Sequence, residues 1–263
     1  MQEGVREDIQ FIFLLGGADL EMYTICQLLD SHGICYYNQG LRWDNACLSA
    51  YLEYLSRFGN KSEYQLVGIE LQEDVILPNN YISIDHHNQS TGKPSSLEQV
   101  AELLGISLTR EQQLVAANDK AYIPGMMALQ ASDDEIMEIR RRDRMCQGVT
   151  EEDEALAVKA INENMEQVNG LIAVKALSSR FSPICDRLFP YRQLLVYTSV
   201  EWIYYGENLH QLLLAFKDDI AAGKLFYGGG TNGYMGSKKK IYTENEIQQI
   251  VNRIKTMAED GDL

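Results

Sequence analysis

Cysteine is scarce. The five in 263 residues (Cys26, Cys35, Cys47, Cys146 and Cys185) are widely spread, odd in number and form no CxxC pair. That argues against a disulfide scaffold and a thiolate zinc site, and it fits a reducing compartment. Long apolar runs are missing too: no stretch approaches the roughly 18 residues needed to cross a bilayer. The opening MQEGVREDIQFIFLL places acids before a short apolar run, without the basic start and longer apolar core of a secretory leader. A soluble, cytoplasmic protein is therefore expected. Positive charge is in deficit, with 23 Lys and Arg against 38 Asp and Glu, a formal net charge of −15. Such a chain repels nucleic-acid phosphates at long range, which disfavours long nucleic acid as a partner. A phosphorylated small molecule stays open, because a divalent cation inverts the field inside an acidic cleft. No internal repeat or low-complexity tract is evident.

What is present is a 45% hydrophobic chain, enough for one sizeable core or two smaller ones. Ile9 to Leu15 is a compact apolar run closed by Gly16-Gly17, the pattern of a strand buried on both faces. Met22 to Leu29 reads as a helix, Ile34 to Tyr37 as a strand, and Asn45 to Phe58 as a helix ended by Gly59. YQLVGIEL (64–71) and YISI (81–84) read as strands. Ser95 or Ser96 can cap a helix to Leu104, and Thr109 with Gln112 forms a capping box for the next, which runs towards Pro124-Gly125. Strands alternating with helices predict an α/β fold, a mainly parallel sheet flanked by helices.

From Asp133 to about Gln167 the chain reads as charged helix, and after Gly170 the strand pattern returns, ending in a helix over 244–257. We place a boundary near 165, with a first domain over 1–165 and a smaller C-terminal α/β domain over 166–263. Arg140, Arg141, Arg142 and Arg144 are expected to spread around a helix surface and pair with nearby acids such as Glu138 and Asp143.

The sharpest chemical feature is Asp85-His86-His87, directly after YISI. Ligand sites in open parallel sheets form outside the carboxyl ends of strands. An acid and two imidazoles there suit a metal, although a bare histidine pair also fits a solvated loop. Asp19 and Glu21 follow the first strand, Glu70 lies near the end of the third, and Asp119 sits on a helix after the DHH segment. These acids can gather at one sheet edge, where their repulsion is relieved by a cation. Oxygen and imidazole donors favour Mn²⁺ or Mg²⁺ over a thiol-seeking metal. Asp19 and Glu21 also fit plain capping of the first helix.

The segments ISIDHHN, SSLEQVAELL and LVAANDKAYIPGM resemble the DHH phosphoesterase superfamily. In that family a first HxxxDxD motif precedes an aspartate at a strand end, the DHH triplet and a helical aspartate. The matching positions here are Leu15, Asp19 and Glu21, then Glu70, then Asp85, His86 and His87, then Asp119. The family histidine is thus replaced by Leu15. Gly228-Gly229-Gly230-Thr231 through Gly236, with Lys238 to Lys240 behind it, resembles the family's GGGHxxxxG loop, Thr231 standing for its histidine.

The resemblance implies a divergent metal-dependent phosphoesterase, a hydrolase using metal-activated water. Asp19, Glu21, Glu70, His86 and Asp119 would hold one or two Mn²⁺ or Mg²⁺ ions. Asp85 would orient His86, and His87 would meet the phosphate or protonate the leaving group. Gly228, Gly229, Gly230, Thr231, Asn232 and Lys238 would grip a small phosphorylated molecule or short nucleotide. A homodimer is compatible with this reading and no membrane is required. The departures at Leu15 and Thr231 keep two alternatives open: a non-catalytic nucleotide- or metal-binding regulatory module, and an interaction protein with vestigial site residues.

Overall fold

A short, mostly apolar strand, β1 (Gln10–Leu15), is the first element of the computed structural model, which describes residues 9–42, 45–87, 92–229, 233–238 and 240–263. Ile12 to Leu15 are fully buried, as expected for a strand covered on both faces. Helix α1 (Leu20–Ser31) follows, then β2 (Cys35–Asn38), a 3₁₀ turn at Leu48–Tyr51 running into α2 (Leu52–Phe58), β3 (Tyr64–Ile69) and β4 (Tyr81–Ile84). The four strands form one parallel sheet in the order β2-β1-β3-β4. The chain first steps to one side of β1 and then to the other, so the carboxyl ends of β1 and β3 form a switch point. The register aligns Leu15 with Ile69 and Ile69 with Ile84. Whatever follows those three residues must emerge at one edge.

Glycine lets that edge close up. A Cβ on Gly16 would lie 2.4 Å from the Glu70 carbonyl oxygen and 2.6 Å from that of Ile69. Gly16→Ala is therefore expected to push β1 and β3 apart at their ends and cost about 1–3 kcal/mol, read as a lower denaturant midpoint at unchanged slope. An unchanged midpoint would contradict the close approach.

Helices α3 (Ser96–Leu104), α4 (Arg110–Ala128) and α5 (Asp133–Cys146) complete the first unit, which ends at Gly148. Ser95 is the cap of α3, in a capping box with Glu98, and the expected capping box at Thr109/Gln112 forms. Helix α4 is broken at Ala121 and Tyr122, the latter with φ 56° and ψ −148°, a region that costs a non-glycine residue of order 1–3 kcal/mol. On α5 the arginines divide. Arg141 pairs with Glu138 at the surface, but Arg140 and Arg144 are buried. Arg140 donates to Asn118 at 2.9 Å and Asp143 at 2.6 Å, and stacks 4.5 Å over the Tyr122 ring. The expectation of a solvated basic face thus fails for these two, because α1 and α4 pack against that side of α5.

The second unit spans Val149–Leu263. It begins with α6 (Glu151–Asn164), which packs on strand β6 and helix α7, so the division falls after Gly148 rather than near 165. Its elements are β5 (Met165–Val168), β6 (Leu171–Lys175), α7 (Ser182–Leu188), β7 (Gln193–Tyr197), β8 (Trp202–Gly206), α8 (Leu209–Ala215), α9 (Lys217–Ala221), β9 (Leu225–Gly228), β10 (Gly233–Ser237) and α10 (Glu244–Glu259). They form a mixed sheet in the order β5-β6-β7-β8-β10-β9, parallel only between β6 and β7. Side-chain alternation on β8 serves two cores: Trp202 and Tyr204 face α10, while Ile203 and Tyr205 face the side of α6 and α7. The architecture is thus α/β in two parts, as the sequence pattern predicts. No helix among the described residues is long and apolar enough to cross a membrane.

Candidate metal centre

The edge outside β1, β3 and β4 collects the acids and imidazoles. Asp19, the cap of α1, accepts from the Met22 N–H at 2.9 Å and is almost fully buried. Glu21, in the first turn of α1, is 2% exposed, and its Oε1 accepts from the Leu97 N–H at 2.9 Å. Glu70 directly follows β3 and turns the chain with φ 52°. Its Oε1 accepts from Ser96 Oγ at 2.7 Å. The start of α3 therefore donates to two carboxylates, which sequence reasoning missed. The only signal was the serine pair, of which Ser95 is the cap and Ser96 turns inward.

His86 stands in the middle. Its Nε2 lies 2.7 Å from Asp119 Oδ2, 3.3 Å from Glu21 Oε2 and 3.6 Å from Glu70 Oε1. His87 Nε2 is 3.6 Å from the same Glu70 oxygen, and the two imidazole centroids lie 4.1 Å apart. Asp85 departs from its expected role. Its carboxylate accepts the His87 backbone N–H at 2.8 Å and so fixes the turn, because the side chain after a strand end reaches its own loop before it reaches a ring. Leu15 is fully buried and apolar. In the second unit Gly228 ends β9, Gly229 takes φ 84°, and Lys238 is exposed. Gly230, Thr231 and Asn232 lie outside the described residues.

The electrostatics of this pocket are costly without a cation. Burial, with Glu70 and Asp119 nearby, pushes the Asp19 carboxyl up to about 7. Burial likewise raises Glu21. For His86 burial works against the charged ring, but Asp119 and Glu21 outweigh it and hold its pKa at about 10. Glu70 raises His87 in the same sense. Glu21 Oε2, His86 Nε2 and Asp119 Oδ2 are buried yet make no well-directed hydrogen bond. Buried polar atoms seldom stay unsatisfied, and a shared ion would satisfy all three. Donor atoms of Glu70, His86, His87 and Asp119 all lie within 4.8 Å of one another. Two imidazole nitrogens and two carboxylate oxygens at that spacing fit a divalent cation.

No family model and no curated protein matches the chain. A solved structure does: the pGpG-specific phosphodiesterase PggH from Vibrio cholerae superposes with a TM-score of 0.51 at 14% identity, over 96% of this chain and 99% of that one. The chain shares the fold of that phosphodiesterase. The DHH domain of a member of a family of ribosomal proteins aligns over 95% of this chain and 87% of its own, with TM-score 0.48 and 10% identity. The exonuclease RecJ bound to manganese aligns over 95% and 90%, with TM-score 0.38 and 10% identity. In this fold, Asp19 and Glu21, Glu70, His86 and His87, and Asp119 come from separate stretches of chain to one edge of the parallel sheet.

Proposed function

We propose that this chain is a metal-dependent phosphoesterase that hydrolyses a small phosphorylated molecule or short nucleotide, with Mn²⁺ or Mg²⁺ as its ion. The observation that carries the reading is the buried His86 ringed by Glu21, Glu70 and Asp119 at a switch-point edge. Glu70, His86, His87 and Asp119 would hold the ion. When bound, such a cation polarises a phosphoryl oxygen and lowers the pKa of water at neutral pH. Ser96 keeps the Glu70 carboxylate aimed into the pocket, and the Leu97 N–H does the same for Glu21. His87, the more open imidazole at 26% side-chain exposure, lines the side from which substrate would enter. Asp85 holds the turn that presents both rings. The formal charge of −15 supports a short substrate over long nucleic acid.

A panel of a generic phosphodiester, mononucleotides and linear dinucleotides, pGpG among them, tests the reading. Turnover is expected only with Mn²⁺ or Mg²⁺, and it should vanish with chelator and in Asp119→Ala. A nucleotide that binds tightly without turnover under every divalent ion would replace this reading with that of a regulatory binding module.

A further inference from the structure

We infer that Arg140 is a positioning residue for the metal centre: buried on α5, it grips Asn118 just before Asp119 and Tyr122 shortly after it, and so fixes the Asp119 carboxylate against His86. This rests on the metal-dependent reading above and deepens it by naming a residue that acts through its neighbours. Asp119 Oδ2 approaches His86 Nε2 to 2.7 Å, closer than Glu21 or Glu70 does. Yet Asp119 sits just before the break in α4, where Ala121 takes φ −148° and Tyr122 takes φ 56°. A non-glycine residue keeps such a conformation only where its surroundings impose it.

The guanidinium is suited to that task. It is planar, so its edge donates hydrogen bonds while its face stacks on an aromatic ring. Arg140 uses both. Its Nη1 donates to Asn118 Oδ1 at 2.9 Å and to Asp143 Oδ2 at 2.6 Å, and its Cζ lies 4.5 Å from the Tyr122 ring centroid. Asn118 Nδ2 in turn donates to Asp143 Oδ2 at 3.4 Å, and Gln147 Nε2 donates to Asp143 Oδ1 at 3.1 Å. Asn118, Arg140 and Asp143 are all buried. The network therefore ties α4 to α5 on both sides of Asp119. An ion pair taken out of water adds little net stability. A lysine would keep the charge but neither the flat face nor the fork. What the arginine adds is geometry at Asp119.

The test is Mn²⁺ titration of the full chain by calorimetry, with melting curves of the same samples. Arg140→Met combined with Asp143→Asn removes both charges of the pair, so no buried charge loses its partner and melting is expected near the wild type. Its Mn²⁺ affinity is expected to fall about 10–100-fold, the usual effect of losing a residue that orients metal ligands. A merely structural role would move the melting temperature and leave the affinity of the folded protein alone. The sign separates charge from geometry in Arg140→Met by itself. Losing a positive charge beside an acidic pocket tightens cation binding, whereas losing the positioning weakens it. Arg140→Lys, which keeps the charge, should also bind about tenfold more weakly. Arg141→Met, at the surface pair with Glu138, is the control and should bind like the wild type. Wild-type affinity in the folded double variant, or tighter binding in Arg140→Met, would overturn the inference. If the double variant does not fold, wild-type affinity in Arg140→Lys overturns it. The two readings fail differently. Mn²⁺ uptake with no loss in these variants defeats only the positioning role, while the expected losses without phosphoester turnover defeat only the hydrolase. No uptake by the wild-type chain defeats both.

Discussion

His86→Ala is expected to abolish divalent-metal binding and to lower phosphoester turnover by at least about 10³-fold. The imidazole is the common neighbour of Glu21, Glu70 and Asp119, so its removal takes away the one side chain that all three approach. A cation contributes several kcal/mol of charge stabilisation to phosphoryl chemistry, and each 1.36 kcal/mol is tenfold in rate. The variant has a second cost. In the metal-free protein the ring is held protonated as the partner of buried carboxylates. Removing one side of a buried ion pair typically costs about 3–5 kcal/mol. Calorimetry, turnover and thermal melting are therefore expected to fall together in His86→Ala. Asp119→Asn, which keeps the shape, should lose binding and turnover with a smaller loss of stability. Wild-type Mn²⁺ affinity in His86→Ala would contradict this ligand assignment.

The metal-free protein is expected to become less stable as pH rises from 6 to 9, and a saturating divalent ion to reverse most of that loss. The sign follows from two groups. Asp19 moves from 3.8 to about 7 on folding, so the stability its protonated form contributes is complete below 3.8 and lost as pH rises through 7. His86 moves from 6.5 to about 10, so its contribution is complete below 6.5 and lost as pH rises through 10. Both act in one direction across the neutral range, together worth a few kcal/mol. Metal and protons compete for the His86 ring, so affinity for the ion rises over the same window. At 100-fold excess over Kd the ion adds about 2.7 kcal/mol, roughly 5–10 °C in the melting temperature of a unit this size. Melting curves at pH 6 and 9, with Mg²⁺ and with chelator, measure it. A metal-induced shift that is larger at pH 6 would reverse the argument.

The parts of the fold that determine the site were legible where one residue type has one local meaning. The run at β1 closed by Gly16-Gly17, the serine cap of α3, the capping box at Thr109, and the strand YISI before Asp85 are local patterns, and each forms. The placement of Asp19, Glu70 and His86 at one edge follows from parallel pairing. What the sequence did not reveal depends on partners distant in the chain. Arg140 and Arg144 lie among surface-like charges, and only the packing of α1 and α4 on α5 decides that they are buried. Ser96 looks like a cap alternative until β3 brings Glu70 to it. Resemblance alone assigns Asp85 to His86, whereas the turn gives it a nearer partner in the His87 N–H. The break in α4 at Ala121 and Tyr122 falls in the turn before Pro124, whose missing N–H and ring disfavour regular helix there. The sequence pattern ends the helix near this proline and does not show that it resumes beyond the kink.

The most direct test is where an ion settles. Crystals of the full chain grown with Mn²⁺ and measured at the manganese absorption edge are expected to show an anomalous peak within bonding distance of Glu70, His86, His87 and Asp119. A well-diffracting crystal with saturating Mn²⁺ and no peak among those four side chains, or a peak only elsewhere on the molecule, would contradict the assignment of this edge as a metal centre.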